Sequence, residues 1–188
     1  KGQRISLAQK DGSTLTQVVM GLGWDAKKSG GFFGFGGGQT DIDLDASCVL
    51  FDQNKKMVDA VWFRQLRSKD GSINHSGDNL TGAGDGDDEQ IMVNLTRVPN
   101  NVQSLVFVVN SFTGQNFSQI NNTFCRLIDQ TNNGEIARYN LSNEGGTHTA
   151  QLMAKVYRHR GDWKMHAIGE NASGRTFHDL MPAMLANL

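Results

Sequence analysis

The residues best equipped for chemistry form one run, Gly77-Asp78-Asn79-Leu80-Thr81-Gly82-Ala83-Gly84-Asp85-Gly86-Asp87-Asp88-Glu89, with five carboxylates and no base. A second acidic cluster, Asp41-Ile42-Asp43-Leu44-Asp45, lies upstream. Two unit charges ~4 Å apart repel by about 4 kcal/mol at an effective dielectric of ~20. Carboxylates this dense either point apart into water or share a cation. The interspersed glycines favour the cation, because they let backbone carbonyls turn inward as neutral oxygen ligands. Oxygen-only ligation suits a hard ion, calcium first and magnesium second.

The spacing is not that of an EF-hand. Asp78 to Glu89 has the right length, twelve residues, but Leu80, Gly82 and Ala83 fall where acidic or amide side chains and a turn glycine are required. The following Ile91-Met92-Val93-Asn94-Leu95 reads as a strand rather than an amphipathic helix. The run is therefore expected to be a loop between strands that carries hard-cation ligands. Other chemistries find little support. The five histidines, His75, His148, His159, His166 and His178, form neither HxxxH nor HExxH, and His75 alone lies near the acidic loop. No GxSxG nucleophile motif occurs. Gly31 and Gly36 have the spacing of a phosphate loop, but Gly37 stands where lysine is needed. Paired carboxylates can act as general acid and base only if one has a raised pKa in an apolar pocket, and a hydrated glycine-rich loop is the opposite setting. The chain is therefore expected not to be an enzyme, a metal-dependent hydrolase being the weakest alternative.

The elements that must hold these residues are mostly strands. Ile42, Leu44, Ala46 and Cys48 alternate with Asp41, Asp43, Asp45 and Ser47, which puts the aspartates on one face and the apolar residues toward a core. Further strands are expected at 4–7, 15–22, 58–66, 90–95, 104–111, 123–129, 135–141, 149–159 and 162–168. Asp70-Gly71, Asn132-Asn133-Gly134, Glu144-Gly145-Gly146 and Arg160-Gly161-Asp162 mark turns. This cadence predicts a mainly β fold, an antiparallel β-sandwich. A short turn is expected at 116–122. A C-terminal helix is expected at 176–188, docked on the sandwich through Phe177, Leu180, Met181, Met184 and Leu185, with Pro182 distorting it or marking its start. The Gly/Phe-rich stretch 29–39 reads as a loop insertion within one domain spanning 1–188.

The chain has 188 residues, 38% of them hydrophobic and 20% charged, enough for one globular core. A net charge of -1 gives no electrostatic case for nucleic acid. Cys48 and Cys125 lie in apolar runs and are expected to be buried free thiols, which fits a reducing cytoplasm. No stretch reads as a signal peptide or a transmembrane segment. The chain begins at Lys1, so a few residues are expected to precede it.

Gly21-Leu22-Gly23-Trp24-Asp25, Asp43-Leu44-Asp45-Ala46-Ser47 and the Gly77–Glu89 run together resemble the TerD family of bacterial tellurium-resistance and stress proteins. Ala137-Arg138-Tyr139-Asn140-Leu141-Ser142, Tyr157-Arg158-His159 and Trp163-Lys164-Met165-His166-Ala167-Ile168-Gly169 extend the match over nearly the whole chain. Phe112-Thr113-Gly114-Gln115-Asn116-Phe117 and the insertion look closest to the TerZ branch. The resemblance implies a calcium-binding β-sandwich that works with other ter-encoded proteins in resistance to tellurite, phage and colicins.

The candidate metal ligands are Asp25, Asp43, Asp45, Asp78, Asn79, Thr81, Gly82, Asp87, Asp88 and Glu89, with Thr81 and Gly82 contributing from the backbone. Adjacent Asp87 and Asp88 diverge in an extended segment, so two Ca2+ ions are expected. Phe32, Phe33 and Phe35 in the insertion are candidates for peripheral contact with a membrane or partner. The expected role is a scaffold or sensor in the cytoplasm or at the inner face of the membrane. A calcium-dependent membrane-docking module is the alternative.

Overall fold

The computed structural model describes residues 2–7, 15–25, 42–80 and 86–188. Among the described residues eleven antiparallel strands form two sheets: β1 (Arg4–Ser6), β2 (Gln17–Asp25), β3 (Leu44–Phe51), β4 (Met57–Val61), β5 (Ile73–His75), β6 (Glu89–Asn94), β7 (Ser104–Ser111), β8 (Asn121–Asp129), β9 (Gly134–Asn140), β10 (Ala150–His159) and β11 (Asp162–Ala172). The larger sheet has the order β1-β11-β10-β7-β3-β4, and the smaller β5-β6-β2-β8-β9. This is the expected antiparallel sandwich.

The alternation in β3 does what its sequence demands. Ile42, Leu44, Ala46, Cys48 and Leu50 join Leu105, Phe107 and Val109 of β7 in the interior between the sheets. The opposite face is not left to water. Val49 and Phe51, with Val106 and Val108, are covered by Phe177, Leu180 and Met184 of the C-terminal segment. The middle of the larger sheet is thus buried on both faces, and neither β3 nor β7 has an exposed residue along its length. Both cysteines are free and buried.

Boundaries differ where side chains override strand propensity. The expected strand 58–66 stops at Val61, because the Asp59 carboxylate accepts hydrogen bonds from Ala60 N, Gln65 Nε2 and Lys69 N and folds the chain back on itself. The three-residue strand β5 was too short to leave a periodic signal; it pairs with Ile91–Val93 of β6. A four-residue helix, α1 (Leu141–Glu144), follows β9 directly. At the C-terminus the regular helix α2 covers only Met181–Ala186, with Pro182 in its first turn. The preceding residues form tighter turns, and the Asp179 carboxylate accepts from Arg175 N and Thr176 N. Phe117–Gln119 forms the short turn expected at 116–122, as a 3-10 helix.

Candidate metal centre

The acidic residues meet at one corner of the sandwich, where β3 of the larger sheet faces β6 of the smaller. β4 pairs only with Cys48–Phe51, so the first half of β3 has a ladder partner, β7, on one side alone. Glu89, the first residue of β6, takes the open side: Ala46 N donates to its Oε2 at 2.8 Å. Asn79 N donates to Oε1 of the same carboxylate at 3.2 Å. One buried carboxylate, 0% exposed, therefore fixes β3 against the loop after β5. His75 supports it. Gly77 N donates to His75 Nδ1, and His75 Nε2 lies 3.3 Å from Glu89 Oε2.

Pinned this way, Asp43, Asp45 and Asp78 each place a carboxylate oxygen within 4.8 Å of the other two. Asp45 is 2% exposed and Asp43 9%. Asn110, opposite Asp45 on β7, donates from Nδ2 to Asp45 Oδ2 at 3.0 Å and also to the carbonyl of Arg175. Asp43 is held by its backbone: its N–H donates to Thr113 Oγ1 and its carbonyl accepts from Phe112 N. Its Oδ1 is buried without a hydrogen-bond partner. Among the described residues no Lys or Arg pairs with Asp43, Asp45, Asp78 or Asp88.

The electrostatics follow. Burial, and then the charges of Asp78 and Glu89, push the Asp43 carboxyl up to about 6. Burial again leads for Asp45, followed by Asp43 and Glu89, and takes it to about 8 against the opposing Asn110 hydrogen bond. The expectation of a wholly hydrated acidic site does not hold for these two, because they belong to the buried β3 region rather than to the glycine-rich loop. A group of carboxylates raised by burial and by each other is the environment a cation relieves.

The remaining candidates divide. Asp88 Oδ2 accepts from Trp24 N at 2.9 Å and its Oδ1 from Asn79 Nδ2 at 3.1 Å. Its pKa is raised by burial first, partly countered by the Trp24 N–H, with Asp25 the largest charge contribution. Asp25 is exposed and accepts from Asn122 Nδ2 at 2.6 Å. Trp24 also donates from Nε1 to the carbonyl of Ile42, tying β2 to the residue beside Asp43. Asp87 goes elsewhere. Its carboxylate accepts from Arg126 Nε and Nη2 at 2.8 and 3.1 Å and from Gln90, with its side chain 1% exposed. Asp87 is therefore not in the group with Asp43, Asp45 and Asp78.

The Gly21-Leu22-Gly23 triplet explains the route. A Cβ on Gly21 would stand 2.3 Å from Asp87 Oδ2, and one on Gly23 2.5 Å from the Gly86 carbonyl. Two bare positions on β2 let the 86–88 segment lie directly across the sheet. Thr81 and Gly82, like Asp41, Phe32, Phe33 and Phe35, lie outside the described residues. Sequence reasoning missed Asn110, Arg126 and Thr113, which are remote in sequence from the acids they bond. It did single out His75 as near the loop.

A two-sheet antiparallel sandwich with a carboxylate cluster where the first half of β3 meets the start of β6 defines a class of protein. Comparison with known proteins gives the family. The family model described as the TerD domain matches residues 1–182. The chain is 51% identical to tellurium resistance protein TerZ of Serratia marcescens over 96% of this chain and 92% of that one. It is 44% identical to stress response protein SCP2 of Bacillus subtilis (strain 168), over 96% of this chain and 95% of the other. The crystal structure of a homologue of telluride resistance protein (TerD) from Streptomyces coelicolor A3(2) superposes with a TM-score of 0.77 at 20% identity, covering 91% of this chain and 98% of that chain, and so shares the fold. The chain belongs to the TerD family of tellurium-resistance and stress-response proteins. Among the described residues no helix is long and apolar enough to cross a membrane.

Proposed function

We propose that this chain is a calcium-binding, non-enzymatic stress-response protein linked to tellurite resistance, acting as a scaffold or sensor alongside other ter-encoded proteins in the cytoplasm. Two observations support the metal reading: Asp43, Asp45 and Asp78 each place a carboxylate oxygen within 4.8 Å of the other two, and a buried oxygen of one of them, Asp43 Oδ1, has no partner. Asp43, Asp45 and Asp78 form the first ion's side-chain ligands. Asp25 and Asp88 belong to the second of the two expected ions. Glu89 and His75 hold the two halves of the first site together. The non-enzymatic reading is supported by the relatives, which carry the names of resistance and stress proteins.

Calorimetric titration of the chelator-treated protein with calcium and magnesium tests the metal reading. Calcium is expected to bind more tightly, and Asp45→Asn and Asp43→Asn to lose most of that affinity. Asp70→Asn, in an ordinary turn, is expected to match wild type. No calcium heat in the wild-type protein would overturn the reading. Restoring tellurite survival to a strain lacking the gene tests the biological link: the Asp45→Asn variant should fail where Asp70→Asn succeeds.

A further inference from the structure

The chain has seven methionines and two cysteines, and four of these side chains line one small cavity in the sandwich interior. Met20 of β2, Cys125 of β8, Met153 of β10 and Met165 of β11 surround it, with Phe107, Leu127, Ala137, Ala154, Arg126 and Tyr139 completing the wall. The space is about 20 Å³, room for one water or one bare ion. Cys125 Sγ lies 3.2 Å from Met153 Sδ. A second, independent observation concerns Tyr139. It is 7% exposed, it lines this cavity, and its hydroxyl has no hydrogen-bond partner. Tyr139 stands directly opposite Cys125 in the β8–β9 ladder.

We propose that this cavity is a binding site for one soft monovalent cation of the copper(I) class, held by the Cys125 thiolate and the thioethers of Met153, Met20 and Met165. Thiolate and thioether sulfur select such ions over calcium or magnesium, so the site is chemically orthogonal to the carboxylate corner. Charge balance suits the interior. Binding breaks the Cys125 S–H bond, forms a metal–sulfur bond and releases the proton to solvent, while copper stays in the +1 state. The thiolate and the monocation sum to zero, so no net charge is buried. The Cys125 thiol in the metal-free protein is held far above its ordinary pKa by burial, which keeps it unreactive toward alkylating agents and disulfide exchange. The alternative is that the methionines are adaptable filler around an irregular gap.

The test is anaerobic titration of the calcium-free, full-length protein with copper(I) held by a colorimetric chelator, which reports stoichiometry and affinity by competition. One equivalent is expected for wild type, and loss of uptake in Cys125→Ser. Cys48→Ser, whose thiol is equally buried but outside the cavity, should retain it. Met153→Leu conserves volume and guards against a Cys125 variant that does not fold; it should lower affinity with the melting temperature little changed. No uptake by the wild-type protein, equal loss in Cys48→Ser and Cys125→Ser, or unchanged affinity in Met153→Leu would overturn the proposal and leave the cavity as packing.

Discussion

Asp45→Asn should stabilise the metal-free protein and at the same time remove its response to calcium. Asp45 has a carboxyl pushed from an ordinary 3.8 up to about 8. A group whose folded-state pKa is raised contributes stability that is full below its unfolded value and lost as pH rises through the folded one. At pH 7 the unfolded chain carries Asp45 as carboxylate, so folding must protonate it about three units above its ordinary pKa. At 1.36 kcal/mol per unit that costs at most about 4 kcal/mol. Asparagine is neutral in both states and avoids this cost, and its amide oxygen can still accept from Asn110 Nδ2. For a chain of this size a gain of even 2 kcal/mol raises Tm by roughly 4–8 °C. Calcium bound to the folded state as proposed should also stabilise wild type, by about 2.7 kcal/mol at a concentration 100 times its dissociation constant. Thermal unfolding followed by circular dichroism, with chelator and with calcium, gives four melting temperatures. The variant should melt above wild type in chelator and gain much less from calcium. A variant that melts below wild type in chelator, or that gains as much from calcium, would refute the reasoning.

The calcium-induced rise in Tm should itself grow between pH 5 and 8, because protons compete at Asp43, raised to about 6, and at Asp45, raised to about 8; a flat profile from the same melting assay would count against both assignments. Gly21→Ala should cost about 2–4 kcal/mol by urea unfolding, because its Cβ would displace the buried Asp87 from Arg126. Asp87→Asn should lower urea stability more than it lowers calcium affinity measured by calorimetry, since its carboxylate is committed to Arg126. Phe177→Ala should cost about 3–5 kcal/mol in the same unfolding assay by uncovering the outer face of the larger sheet, with calcium affinity unchanged.

Much of this arrangement is legible in the chain because it rests on local periodicity. The alternation through Ile42–Cys48 gives β3, its inward face and the shared face of its aspartates. The glycine-spaced carboxylates mark an acidic run, and Asp78 of that run does meet Asp43 and Asp45. What the sequence hides is which distant residue answers each acid. Asp87 reads as one more ligand in an acidic run, yet its partner is Arg126, 39 residues away on β8. Trp24 and Asp88 are 64 residues apart and meet through a backbone N–H, a donor every residue but proline carries, so side-chain identity gives no clue to it. The burial of Asp43 and Asp45 was equally hidden. It comes from the C-terminal segment and the Phe112–Thr113 loop closing over β3, and strand alternation alone cannot tell a face in water from a face under a lid of chain.

The hydrogen bond from Ala46 to Glu89 also bears on self-association. Where β4 falls short, β3 would present unpaired N–H and C=O groups along its open side, the kind of template on which a second chain can add a strand. Placing the Glu89 carboxylate on the Ala46 N–H occupies one of those donors with a side chain that cannot continue a ladder. A negative charge at that position also repels any incoming backbone carbonyl. The residue that holds the acidic corner together thereby blunts the part of β3 that its own sheet leaves unpaired, so a variant that loses this carboxylate should both loosen the corner and open an edge to strand addition by a second chain.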